Sequence, residues 1–202
     1  LMLDTYNLPF SDVRVRRAFA HAIDVQAIVK SAMRDVGLPA SSMLPPGFPG
    51  SNNKELAPLQ RFDPDLARRY LAEAGYPDGR GFPQVDIWLR GETATNATAA
   101  EAVQAMLNQH LNIEVGVRNV EKKVYLDSMS GKTLTFGMIP YQYDFIDAGN
   151  LLTIWLSNGR HLWHNDKFEL LVRQANEYVG NPDRRMEMYQ DAERILVSDV
   201  GG

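Results

Sequence analysis

Two aspartates stand three residues apart in Tyr141-Gln142-Tyr143-Asp144-Phe145-Ile146-Asp147-Ala148-Gly149-Asn150-Leu151-Leu152, and aromatic rings flank the first of them on both sides. A carboxylate partly withdrawn from water beside such rings attracts an ammonium group, through a charge-assisted hydrogen bond and cation–π attraction. The same residues admit a plainer reading, in which Asp144 or Asp147 caps the turn at Asn150 and the rings belong to the core. Trp155 divides in the same way: its ring suits stacking on a ligand, while its spacing from Leu151 and Leu152 suits burial.

Other chemistries find less support. His161 and His164 flank Trp163 with the i, i+3 spacing of metal ligands, but that spacing needs a helix, and Gly159 and Asn165 argue a loop, so the expectation is exposed loop histidines and no metal. Ser128 and Ser130 sit on no nucleophile elbow and His21 has no marked acid partner, so no enzyme is expected. The glycines around Gly79 and Gly81 do not follow a strand in a phosphate-cradling pattern, and no cofactor is implied.

The elements that must position these groups alternate in type. Pro9 and Phe10 end an extended run, and Ser11 or Asp12 caps a helix from Asp12 to Ile23. Asp24 re-caps a second helix that carries Ile28, Val29, Ala32 and Met33 up to Gly37. Residues 38–56 are too rich in Pro, Gly, Ser and Asn for regular structure. Asp63 and Pro64 open a helix whose Leu66, Tyr70 and Leu71 face the core and which closes at Gly75. A strand over Gln84–Leu89, a helix capped by Asn96, a strand over Ile113–Val117, a helix over Val124–Met129 and a strand over Thr133–Ile139 follow. Two charged helices, Asp166–Tyr178 and Pro182–Val197, complete the series. Such alternation argues an α/β domain with a mainly parallel or mixed sheet flanked by helices.

The 202 residues, 45% hydrophobic and 23% charged, suffice for one full core, and one domain over 1–202 is the simplest expectation. A net charge of −4 with scattered arginines leaves no electrostatic footprint for nucleic acid. No apolar run reaches the ~18 residues that span a bilayer. The absence of cysteine excludes disulfides and thiolate chemistry without fixing a compartment. The opening on Leu1 and the closing Gly201-Gly202 suggest an excised fragment.

Asn7–Asp24, NLPFSDVRVRRAFAHAID, resembles the start of the second large lobe of the family 5 extracellular solute-binding proteins, the oligopeptide- and dipeptide-binding components of ABC importers. LPASSMLPPGFPG resembles the family's loop with paired prolines, FDPDLARRYLAEAGYPDGRGFP its Asp-Pro helix, and DRRMEMYQDAERIL its late Arg-x-x-x-Tyr-x-x-Ala-Glu helix, so the likeness covers residues 7–198. The family's motif Trp-x-x-Asp-Tyr-x-Asp-Pro-x-Asn-φ-Leu, with φ apolar, matches the acidic segment: Tyr141 stands at the Trp, Asp144 at the first Asp, Phe145 at the Tyr, Asp147 at the second Asp, Asn150 and Leu152 at the Asn and Leu. Ala148 replaces the Pro.

The resemblance implies one lobe of a type II periplasmic-binding-protein-like fold, exported to the periplasm or cell surface either free or lipid-anchored. It implies a peptide or other small solute held against an N-terminal lobe that this chain lacks, and delivery to ABC permease subunits. Asp144 would take the ligand's α-ammonium, with Tyr141, Tyr143, Phe145, Asp147, Asn150 and Trp155 around it. The arginine that dipeptide-specific members use for the ligand carboxylate is missing from Gly91-Glu92-Thr93-Ala94-Thr95-Asn96; Arg90 stands just before it. Free-carboxylate dipeptides are therefore not expected, and longer peptides or other solutes stay open. A sensory module on the same scaffold, or a binder of oligosaccharide or a metal complex, are the alternatives. The arginines of the first helix are expected to be structural.

Overall fold

The computed structural model describes residues 1–91, 94–159 and 161–201. Among these, the chain forms a short strand β1 (Met2–Leu3), helices α1 (Val13–Ala22) and α2 (Val25–Ser31), and a single turn α3 (Asn53–Leu56). Helix α4 (Pro64–Glu73), strand β2 (Val85–Leu89), helix α5 (Ala94–Leu111), strand β3 (Val115–Asn119), helix α6 (Lys122–Ser130) and strand β4 (Phe136–Met138) come next. The remainder is helical: α7 (Ala148–Leu152), α8 (Asp166–Glu177) and α9 (Pro182–Asp199).

The sheet runs β1-β4-β2-β3, with β4, β2 and β3 parallel and β1 antiparallel at the edge. Val85, Ile87 and Leu89 point to one face, where they join Phe10, Phe19, Leu71, Val103, Leu107 and Phe136 from the surrounding elements. Trp88 points to the other face and packs with Tyr125 and Met129 of α6. Period-2 side-chain alternation thus serves two apolar layers, as a sheet covered on both faces requires. A third cluster, without strands, gathers Leu151, Leu152 and Trp155 with Phe168 and Val172 of α8 and Tyr189 and Leu196 of α9.

Local capping chemistry explains most helix starts. Asp12 accepts Arg14 N–H at 2.8 Å, Asp24 accepts Ala27 N–H at 2.9 Å and Asp63 accepts Leu66 N–H at 3.0 Å, each satisfying a donor with no intrahelical partner. The arginines of α1 are structural. Arg14 pairs with the Asp12 carboxylate and holds it below the usual range. Arg16 is buried and donates from Nε to the Asp199 and Val200 carbonyls at 3.0 Å and from Nη1 to Phe10 O at 2.7 Å, tying α1 to the end of α9.

Several boundaries depart from expectation. Helix α2 stops at Ser31 rather than near Gly37, because Ile28 is its one buried residue and Arg34 and Asp35 turn left-handed at φ 51° and 59°. Residues 38–56 are not wholly irregular: α3 closes them, followed by a 3₁₀ turn at Ala57–Gln60. Ala67 takes the core position assigned to Leu66, which is half-buried. Helix α5 begins at Ala94, two residues before Asn96, and the Thr98 hydroxyl donates to Ala94 O at 2.9 Å within that turn. The strand expected from Ile113 starts at Val115, after Asn112 at φ 53°, and β4 is shorter than the run Thr133–Ile139.

Candidate functional site

Leu89 of β2 pairs with Met138 of β4 in parallel, so Arg90 and the segment from Ile139 leave the same edge of the sheet. Open α/β sheets present ligand groups at that carboxyl edge. The segment then runs exposed through Tyr141, Tyr143, Asp144, Phe145 and Ile146 before burying Ala148 and Gly149 at the start of α7. Phe145 at 59% and Ile146 at 66% exposure are large apolar groups facing solvent. They are not core residues. Tyr143 meets Phe48 of the 38–52 loop edge-on, with ring centroids 5.3 Å apart.

The two aspartates differ. Asp147 caps α7: its Oδ1 accepts Gly149 N–H at 2.8 Å, and its carbonyl accepts Asn150 N–H at 3.0 Å. Its carboxylate is gripped by both arms of the Arg185 guanidinium, Nη1 to Oδ2 at 2.7 Å and Nη2 to Oδ1 at 3.0 Å. These hydrogen bonds hold the Asp147 carboxyl below its usual range, and the same partner raises Arg185. A carboxylate so engaged supports the segment and is not open to a ligand amine. Asp144 is exposed, and the bond that ties its backbone is its N–H donation to Asn150 Oδ1 at 3.2 Å. The capping reading therefore describes Asp147, and the ligand reading rests on Asp144.

Arg185 sits at the centre of a wider network. Its Nε donates to Ala175 O at 2.9 Å at the end of α8, and its Nη2 donates to the Tyr189 hydroxyl at 2.8 Å. That hydroxyl donates in turn to Asn176 Oδ1 at 2.7 Å, and burial pushes its pKa up. A Cβ at Gly149 would stand 2.6 Å from Asn176 Oδ1 and 2.7 Å from the Tyr189 oxygen, so the network closes tightly over α7. Beside it lies an open groove of about 740 Å³ lined by Tyr141, Phe145, Asn150, Thr153, Asn176 and Arg185, among others. An aromatic rim over a floor of amides, a hydroxyl and a neutralised guanidinium suits a solute with both apolar and hydrogen-bonding groups.

Two expected contributors are placed elsewhere. Trp155 is buried in the helical cluster and its face is covered by His161 at a centroid distance of 3.6 Å, so it cannot stack on a solute. Apolar spacing from Leu151 and Leu152 outweighs its stacking capacity. Arg90 is half-buried at the end of β2 and does not line the groove. The loop after it includes Glu92 and Thr93, which lie outside the described residues. His164 stands between Asp166 Oδ1 at 2.9 Å from Nε2 and Glu169 Oε1 at 3.0 Å from Nδ1, and Glu169 is the main cause of its raised pKa. Arg185 and Asn176 escaped the sequence reading as groove residues, and Tyr189 as the hydroxyl that joins them. The signal for Arg185 and Tyr189 was their spacing of one helical turn on α9; Asn176 carried none.

Among the described residues no helix is long and apolar enough to cross a membrane. The oligopeptide-binding protein OppA of Bacillus subtilis (strain 168) is 26% identical over 200 residues, 95% of this chain and 36% of that protein. Heme-binding protein A of Haemophilus influenzae is 28% identical over 207 residues, 97% of this chain and 36% of that protein. The solved structure of the periplasmic oligopeptide-binding protein OppAIV of Borrelia burgdorferi superposes with a TM-score of 0.85 at 25% identity, covering 99% of this chain and 40% of that one. The chain thus spans little more than a third of the length of the curated relatives it matches. The family model described as bacterial extracellular solute-binding proteins, family 5 Middle, matches residues 1–162, four-fifths of the chain, and this chain belongs to that family.

Proposed function

We propose that residues 1–202 form one α/β lobe of an exported two-lobed protein that traps a peptide between its lobes and delivers it to an ABC importer. The observation that carries this reading is an exposed carboxylate, Asp144, among exposed aromatic side chains at the carboxyl edge of the parallel strands, beside a groove of about 740 Å³. Asp144 receives the ligand's ammonium, Tyr141 and Phe145 wall the solute, and Asn150 fixes the aspartate's backbone. Closure of a partner lobe over this edge would desolvate the ion pair and strengthen it. The similarity to OppA of Bacillus subtilis favours an oligopeptide. The similarity to heme-binding protein A favours a second reading, a metal complex resting on the aromatic rim.

Asp144→Ala in the full-length protein should weaken binding of the natural solute by about 2–5 kcal/mol, at least 30-fold, measured by calorimetry. Unchanged affinity would overturn the assignment. Because half the cleft lies on the partner lobe, the isolated chain should bind peptide weakly or not at all. A nanomolar dissociation constant for the isolated chain would contradict the two-lobe reading.

A further inference from the structure

We infer that Arg185 is a positioning residue for solute recognition, acting through Asp147 and Asn150 to set the place of the Asp144 carboxylate. The inference rests on the ammonium-binding role proposed for Asp144.

Asp144 lies between β4 and α7 on an exposed segment whose neighbours Tyr143, Phe145 and Ile146 also face solvent. Its apolar contact is the edge-on packing of Tyr143 on Phe48, and its geometry otherwise comes from its two ends. At one end Met138 is fixed in the sheet. At the other, α7 has five residues, too few to be stable alone. The helix is set by its cap Asp147, and that cap is set by Arg185.

The chain of contacts is continuous. Arg185 is held on α9 and α8 by the Ala175 carbonyl and the Tyr189 hydroxyl, which leaves the fork that meets Asp147 no freedom to turn. Asp147 receives that fork at 2.7 and 3.0 Å and anchors Gly149 and Asn150. Asn150 then accepts the Asp144 N–H at 3.2 Å. Three hydrogen-bonded steps connect the guanidinium to the backbone of the proposed ligand residue. The planar bidentate contact matters because a single-point ammonium would leave Asp147 free to rotate. Arg185 also lines the groove, so a direct contact with solute is the competing account.

The test uses full-length protein with tetra-alanine and its N-acetylated form, which lacks the ammonium. The readout is the ratio of the two affinities by calorimetry. Wild-type protein should prefer the free amine by at least about 30-fold, as loss of a charged partner implies. In Arg185→Met and in Arg185→Lys that preference should fall about tenfold, while Ile87→Val, which loosens the sheet core without touching the segment, leaves the ratio unchanged. Asn150→Ala breaks the last step and also removes a groove side chain, so the ratio and not the absolute affinity is read; it should fall even if Arg185→Met fails to fold. A wild-type protein that does not bind tetra-alanine, or does not distinguish the two peptides, overturns the role of Asp144 and this inference with it. A wild-type preference that survives intact in Arg185→Lys and Asn150→Ala overturns the positioning role alone. Equal weakening of both peptides, with the ratio kept, assigns Arg185 to direct contact or general support and also overturns it.

Discussion

Around the sheet, Phe10, Phe19 and Phe136 meet with ring centroids 5.1 to 5.7 Å apart, and the side chains packed about them are mostly aliphatic, with Phe82 against Phe19 at 5.8 Å. Around α7, α8 and α9 the apolar cluster is threaded by charge: Arg185 on Asp147, and the fully buried Glu193 accepting from the Ser42 hydroxyl and from Leu44 N–H at 2.9 Å. Hydrophobic burial has no preferred direction and tolerates small displacements. Hydrogen bonds to charged groups lose strength with a few tenths of an ångström or a modest rotation. The half that carries the groove is held largely by forces that specify orientation; the other half relies mainly on forces that specify compactness, with the buried Arg16 as its directional tie to the end of α9.

In the sheet half, Phe136 is fully buried at the strand that launches the site segment. Phe136→Ala should destabilise the chain by about 3–5 kcal/mol in urea unfolding. A loss below about 1 kcal/mol would show that the sheet half is not held by this cluster.

In the helical half, acid titration separates two carboxyl groups. Burial pushes the Glu169 carboxyl upward, but hydrogen bonds from Ser157, with His164 and Arg173, prevail and bring it down from 4.5 to about 2. The unfolded chain therefore binds more protons in that window, and the stability Glu169 contributes falls as pH drops from 4.5 toward 2. Glu193 has the opposite sign. Burial raises its pKa above 4.5 despite the bonds from Ser42 and Leu44, so stability declines as pH rises from 4.5 through its folded-state value. Glu169→Gln should flatten the acid loss of stability, and Glu193→Gln should remove the decline above it. Urea midpoints followed against pH would reveal the two slopes, and slopes of the same sign would refute the assignment.

The smallest effect belongs to the surface. Arg194 and Glu55 pair at 3.0 Å with both side chains well exposed. Solvent screens such pairs, and Arg194→Ala should leave the thermal midpoint unchanged within error.

The sequence was legible where structure is local. Asp12, Asp24 and Asp63 cap helices through bonds spanning two or three residues, and a Pro after Asp63 marks the same boundary. Period-2 alternation found β2 to within a residue. What could not be read depends on distant partners. β1 has two residues, defined by pairing with Phe136 and Gly137. α7 is too short to show a helical period, and its cap depends on an arginine 38 residues away. For the same reason residue chemistry alone left Asp144 and Asp147 as equal candidates for the cap, with only the family resemblance favouring Asp144 for the ligand, whereas the fold gives Asp147 an arginine and leaves Asp144 to solvent. Trp155 lies in the core with Leu151 and Leu152, as its spacing allowed, while the stacking of His161 on its face is a contact that spacing does not predict.

Gly149 divides the segment into a part that cannot vary and a part that can. The atoms pressed against it leave no space for even a methyl group, so mutation there disturbs Asn176, Tyr189 and Asp147 together. Tyr141, Tyr143, Phe145 and Ile146, a few residues earlier, present their side chains to solvent and share little of that frame. Side chains at those four positions can therefore be exchanged without displacing the backbone that carries them, whereas any side chain at position 149 displaces its neighbours. Tolerance to substitution in this segment is a matter of where the packing ends.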